Sequence, residues 1–228
     1  MKSLIVTIQS IIILCAMPYA NGQGAGTDMD VDTVAVSESV SLLQAEWAKI
    51  KYQIPEKKEK LKALHALEKR VERLITGNPK KVEFKIWQAI ILSTDAGVTN
   101  GMSSLGMLTK AKNLLLESIA DNPSALSGSA YTSLATLYYQ APGWPISFGS
   151  NKKARNYFKK ALDINPEGID PNYFYGDFLI KQEKYDKAKK YLAIALLAPP
   201  RTGRPLADEG RRQEIRAALT TISDNINY

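Results

Sequence analysis

The residue types that do chemistry are scarce in this chain. It holds one histidine, His65, and one cysteine, Cys15, so no His/Cys metal cluster and no Cys–His or Ser–His–Asp nucleophile can be assembled with residues to spare. The alternation Asp28, Asp30, Asp32 starts like a calcium loop, but Thr33 stands where the sixth position needs glycine and Ser39 where the twelfth needs glutamate. The glycines at 22, 24 and 26 follow no strand and lack the spacing of a phosphate loop. No catalytic residue, metal or cofactor is therefore expected, and the chain reads as a non-enzyme.

What remains are residues suited to binding. Gln140 to Ser150 reads Q-A-P-G-W-P-I-S-F-G-S, an aromatic segment whose prolines and glycines fix its path. Trp144, Ile146 and Phe148 either plug the core or form a recognition surface. The expectation adopted combines the two: Trp144 is anchored by packing and an adjoining wall makes the contact. Arg201, Arg204, Arg211 and Arg212 are the most concentrated arginines, and guanidinium suits carboxylate or phosphate recognition. Asp170, just before Pro171, reads as a helix cap. The net charge of +7 permits contact with acidic partners, but the chain carries no nucleic-acid module, so nucleic acid is not expected.

These groups must be held by helices. From Val40 onward apolar residues recur at three and four spacing, with no strand-like alternation, so the fold class is all-α. Asn78-Pro79, Asn122-Pro123, Asn165-Pro166 and Pro199-Pro200 each close an amphipathic run, because proline cannot extend a helix. The second residues of these stops, at 79, 123, 166 and 200, are 44, 43 and 34 residues apart. A period of that size signals a helical repeat.

The last step carries a resemblance. Tyr175, Gly176, Leu179, Tyr185, Ala188, Leu192, Ala195 and Pro200 stand at the spacing of the tetratricopeptide repeat. The preceding unit supplies Tyr131, Leu134, Ala135 and Tyr138, then Ala154, Phe158, Ala161 and Pro166. There Ala135 to Ala154 spans 19 residues, against 12 from Gly176 to Ala188, and the tryptophan segment is the insertion. Upstream, Trp87 and Ile90 fit a first helix and Ala111 and Leu115 a second. Leu61, Leu64, Leu67, Val71 and Leu74 supply an apolar stripe. The second insertion, 95–104, reads as a flexible loop. The resemblance implies a right-handed TPR-like solenoid of about four helix pairs plus a C-terminal capping helix. In that helix Ile215, Ala218, Leu219 and Ile222 form the packed stripe, with Arg211, Arg212, Glu214 and Arg216 largely off it. Such an array also implies a concave groove, here lined by Thr132, Thr136, Tyr139 and Gln140, then Tyr173, Asp177, Ile180 and Lys181. The candidate binding residues are thus Tyr139, Trp144, Phe148, Tyr173, Asp177, Lys181, Arg201 and Arg204.

The N-terminus completes the organisation. Lys2 followed by the apolar run 4–16 and small residues at 20 and 22 reads as a secretory signal peptide, 1–22, cut after Gly22. Residues 23–36 read as a flexible acidic linker and 37–228 as the repeat domain. The mature chain would be periplasmic or secreted, with no integral membrane segment. The P-G-W-P-x-x-F-G loop, followed by G-I-D-P-N-Y-F-Y-G-D-F-L from Gly168 to Leu179, resembles secreted bacterial tetratricopeptide proteins. More distantly the chain is similar to the T-component of TRAP-type transporters. That likeness implies a scaffold binding an envelope protein or peptide, with a periplasmic substrate-binding protein as one such partner. The alternative is a small-ligand binding or transport-accessory protein.

Overall fold

In a computed structural model, residues 31–226 are described. The expected signal peptide and its cleavage site lie outside them. Among the described residues nine α-helices follow one another: α1 (Val31–Gln53), α2 (Lys57–Gly77), α3 (Val82–Thr99), α4 (Leu105–Asp121), α5 (Ala125–Gln140), α6 (Asn151–Ile164), α7 (Ile169–Ile180), α8 (Tyr185–Leu197) and α9 (Pro205–Ile226). These residues include no strand, only a single bridge between Gly143 and Gly149 in the tryptophan loop. No described helix is long and apolar enough to cross a membrane.

The proline signals end helices as expected. Asn78, Asn122 and Asn165 are the C-caps of α2, α4 and α6, each with its proline next in sequence, and Ala198 with Pro199 ends α8. α1 begins at Val31, so the described part of the expected 23–36 linker is helical. The segment 95–104, expected to be a loop, is also largely ordered. α3 runs on to Thr99, Asn100 and Gly101 turn the chain with positive φ, and a 3-10 turn at Met102–Ser104 leads into α4. Asp95 is buried there, accepting from Thr99 Oγ1 at 2.8 Å and pairing with His65 Nε2 at 2.9 Å.

Consecutive helices pair as α1–α2, α3–α4, α5–α6 and α7–α8, and α9 covers the last pair. The small residues sit where paired helices must approach closely: Ala111, Ala135, Ala154, Ala161, Ala188 and Ala195 are all buried. Leu64, Leu67 and Val71 of α2 and Leu115, Leu134, Phe158 and Leu192 fill the space between. Two cores result. One runs from α3 through α9; the other joins α1, α2 and α3 and takes in Leu206 and Ala207 from α9. The array is therefore not open-ended, because its first and last helices touch. A Cβ on Gly210 of α9 would come within 2.5 Å of the Tyr52 ring of α1.

Gly176 tests the register. A Cβ there would lie 2.8 Å from Leu192 Cγ across the α7–α8 crossing, closer than side-chain carbons approach. Gly176→Leu should therefore lower stability by about 1–3 kcal/mol or more, the usual range for overpacking, read as a lowered urea midpoint. An unchanged midpoint would mean that this residue is not at the crossing.

Candidate functional site

The groove residues are largely each other's partners. Tyr139 ends α5 and Asp177 lies in the second half of α7; the Tyr139 hydroxyl donates to Asp177 Oδ2 at 2.5 Å and accepts from Gln140 Nε2 at 3.0 Å. The Lys181 ammonium sits 4.9 Å from the Tyr139 ring centroid, and the ring packs edge-on against Phe178 at 5.5 Å. Burial, then the Asp177 carboxylate, pushes the Tyr139 hydroxyl well above its ordinary pKa. Thr132, expected to face the groove, is buried. Three candidates do come together, but as a satisfied cluster tying α5 to α7.

Tyr173 stands in a second group, where α9 packs against both α7 and α1. Asp170 accepts from Arg201 Nη1 at 2.6 Å and from Arg211 Nε at 2.8 Å. Arg201 Nε also donates to Asp208 Oδ1 at 2.6 Å, and Arg211 pairs with Glu214. Glu214 in turn holds Lys51 of α1 at 2.9 Å. The Arg211 guanidinium lies 4.4 Å from the ring centroids of both Tyr173 and Phe174. Burial alone would raise the Asp170 carboxyl, but Arg211, Arg201 and Arg204 together hold it well below the usual carboxylate range. Burial, with Arg211 adding repulsion, lowers Lys51 to about 8, and burial raises Tyr173 to about 12.

Two expectations are corrected here. Gly168, not Asp170, is the N-cap of α7, and Asp170 is an ion-pair hub within the first turn. Arg211 is not off the packed stripe of α9; it is 4% exposed. The spacing 211, 215, 218, 222 puts it on the same helical face as Ile215 and Ile222, a signal the sequence did contain. Lys51 and Tyr52 were not expected in this group either, because nothing local marks them and only the meeting of α1 with α9 makes them neighbours of Arg211 and Glu214.

The tryptophan loop follows a different logic. Its neck is closed by backbone hydrogen bonds, Gly149 N–H to Pro142 O at 2.8 Å and Ser150 N–H to Tyr138 O at 2.7 Å. A Cβ at Gly149 would lie 2.1 Å from Ala141 O, so only glycine fits. The anchor is Phe148, edge-on to Tyr138 at 5.6 Å and with the Lys112 ammonium 4.8 Å from its ring centroid. Trp144 is not anchored, contrary to expectation: it is 90% exposed, and Ile146 is 58% exposed. The short neck takes up the backbone groups and leaves the tip no core to reach.

The paired helices, small crossing residues and proline stops define a tetratricopeptide-type helical repeat solenoid. A tetratricopeptide repeat model matches residues 146–205, which is the stretch where the spacing is most regular. The structure is similar to the crystal structure of TTC0263, a thermophilic TPR protein of Thermus thermophilus, with a TM-score of 0.54 at 15% identity, over 83% of this chain and 95% of that one. A looser likeness, with a TM-score of 0.42 at 14% identity over 88% of this chain and 99% of the other, is to the crystal structure of MamA. No curated protein matches the sequence.

Two outcomes follow from the ionic group. Asp170→Asn leaves Arg211 buried with one carboxylate fewer and should cost roughly 3 kcal/mol or more, as breaking a buried pair does, measured by urea unfolding at pH 7. The second concerns alkaline pH. Lys51 sheds its proton near pH 8 in the folded chain and near its ordinary 10.5 in the unfolded one, so the unfolded chain binds more protons in between and stability should rise with pH there. Tyr52 and Tyr173, both raised by burial, act in the opposite sense above about pH 10. Unfolding midpoints should therefore climb from pH 8 to a maximum near about pH 10 and then fall. Lys51→Met should remove the climb and keep the fall.

Proposed function

We propose that this chain is an exported, non-catalytic scaffold of the bacterial envelope, and that its recognition element is the loop carrying Trp144. The observation that carries the reading is Trp144 itself, 90% exposed on a loop whose neck is locked by two short backbone hydrogen bonds. An aromatic side chain presented on rigid backbone loses little entropy on binding, which is what interface hot spots require. The groove candidates support it from the other side. Tyr139, Asp177 and Lys181 satisfy one another and Arg201 is taken up by Asp170 and Asp208, so they hold the array and leave recognition to the loop. The partner is an envelope protein or peptide with an apolar pocket for Trp144 and Ile146. The resemblance to transporter T-components makes a periplasmic substrate-binding protein the first to test.

The test separates folding from capture. Trp144→Ala should shift stability by no more than about 0.5 kcal/mol, as surface substitutions do, and should abolish cross-linking to the partner in envelope extract. Tyr139→Phe should preserve capture. Capture that survives Trp144→Ala would place recognition elsewhere, and a mature N-terminus still beginning at Met1 would remove the export half of the reading.

A further inference from the structure

A cavity of about 460 Å³ opens where the two ends of the array converge. Trp87 of α3, Leu126 and Ser127 of α5, Ile169 of α7 and Arg204 before α9 are among its lining. Its walls mix apolar side chains with polar and charged ones, among them Asn165, Glu167, Asp170 and Arg201, and its volume lies in the usual range of a small-molecule site.

One cation at its wall is left unpaired. Around the cavity and in the adjoining ionic group, four cations (Lys51, Arg201, Arg204 and Arg211) stand among four carboxylates, Glu167, Asp170, Asp208 and Glu214. Each of these cations except Arg204 pairs directly with a carboxylate of the group. The Arg204 guanidinium has no carboxylate partner among the described residues: its buried Nε is unpartnered, and the group lies 5.8 Å from the Trp87 ring centroid. Trp87 is 3% exposed, and its indole N–H is a second buried donor with no partner. Native proteins rarely leave two buried donors unpaired at one place, since each forfeits its hydration.

The backbone is strained at the same wall. Leu126, Ser127 and Gly128 adopt φ of 48°, 54° and 73° in succession, a left-handed turn that non-glycine residues adopt only when their surroundings impose it.

We propose that this cavity binds a small organic carboxylate, with Arg204 as its counter-ion, the Trp87 indole beside it and the apolar body of the ligand against Leu126 and Ile169. A guanidinium presents a planar fork that matches a carboxylate. One unpaired guanidinium is matched by one carboxylate. A phosphate dianion would set a second charge beside Asp170 and against Glu167, which also lines the cavity. This site is separate from the Trp144 loop, so the inference goes beyond the scaffold reading and does not depend on it.

The experiment is calorimetric titration of the mature chain with benzoate, with benzamide, inorganic phosphate and an N-acetylated tripeptide acid as parallel probes. Site occupancy is followed by the Trp87 indole N–H resonance, assigned through Trp87→Phe. Benzoate should bind saturably and shift that resonance, while benzamide and phosphate at equal concentration do neither. Arg204→Gln should weaken benzoate at least tenfold and, because Arg204 holds no ion pair, keep the thermal midpoint. If that variant fails to fold, Arg204→Lys, which keeps the charge and loses the fork, should still weaken benzoate several-fold. Absence of benzoate binding, an equal response to phosphate or benzamide, or benzoate affinity unchanged by either Arg204 variant would overturn the proposal. Tighter binding of the tripeptide than of benzoate would overturn the small-ligand assignment in favour of a chain terminus.

Discussion

The half-buried carboxylate of Asp170 is the contact on which the arrangement of the array depends. A helical solenoid grows by stacking each pair on its neighbour, and nothing in that rule brings its ends together. Here Asp170, in the first turn of α7, takes Arg201 from the α8–α9 link and Arg211 from α9 at once. Glu214, held by the same Arg211, reaches across to Lys51 of α1. The chain of charges fixes the azimuth of α9, and with it the contact between Tyr52 and Gly210 that joins the first helix to the last.

Closing the array in this way uses up the inner surface. A buried ionic group is tolerated only when each charge is paired and hydrogen-bonded, and desolvation offsets much of the attraction. The geometry meets that condition for Arg201, Arg211 and Lys51. The aromatic side chains of α7 add to it, Tyr173 and Phe174 both lying against Arg211 while Tyr139 and Asp177 bind α5 to α7. Residues that would line a peptide groove in an open solenoid have become the internal ties of a closed one. Trp144 and Ile146 remain exposed on a loop outside these ties, as Met102 and Leu197 do elsewhere on the surface.

The two insertions show how differently local sequence constrains local structure. In the tryptophan loop the prolines and Gly149 announced a fixed path, and the neck is held by backbone hydrogen bonds. Which aromatic anchors it was not readable, because Phe148 and Trp144 are both large and apolar and only the position of Tyr138 on α5 decides between them. In the 95–104 segment the Gly, Thr, Asn and Ser residues suggested a loop. Yet Asp95 is buried and paired with His65 of α2, and that contact with another helix outweighs weak local propensity.

The ends of α2, α4, α6 and α8 and the pairing of the last helices were legible in one dimension. Asparagine–proline stops act within a single turn, and small residues at fixed spacing, such as Gly176 and Ala188, are needed wherever two backbones come close, so both signals are local. The partners of the charged groups emerge only when the helices pack. Asp170 lies 31 residues from Arg201 and 41 from Arg211, and Trp87 comes to stand beside Arg204 through the meeting of the array's two ends. A carboxylate before a proline looks the same in sequence whether it caps a helix or neutralises two arginines, because its electrostatic energy depends on distances that the fold alone sets.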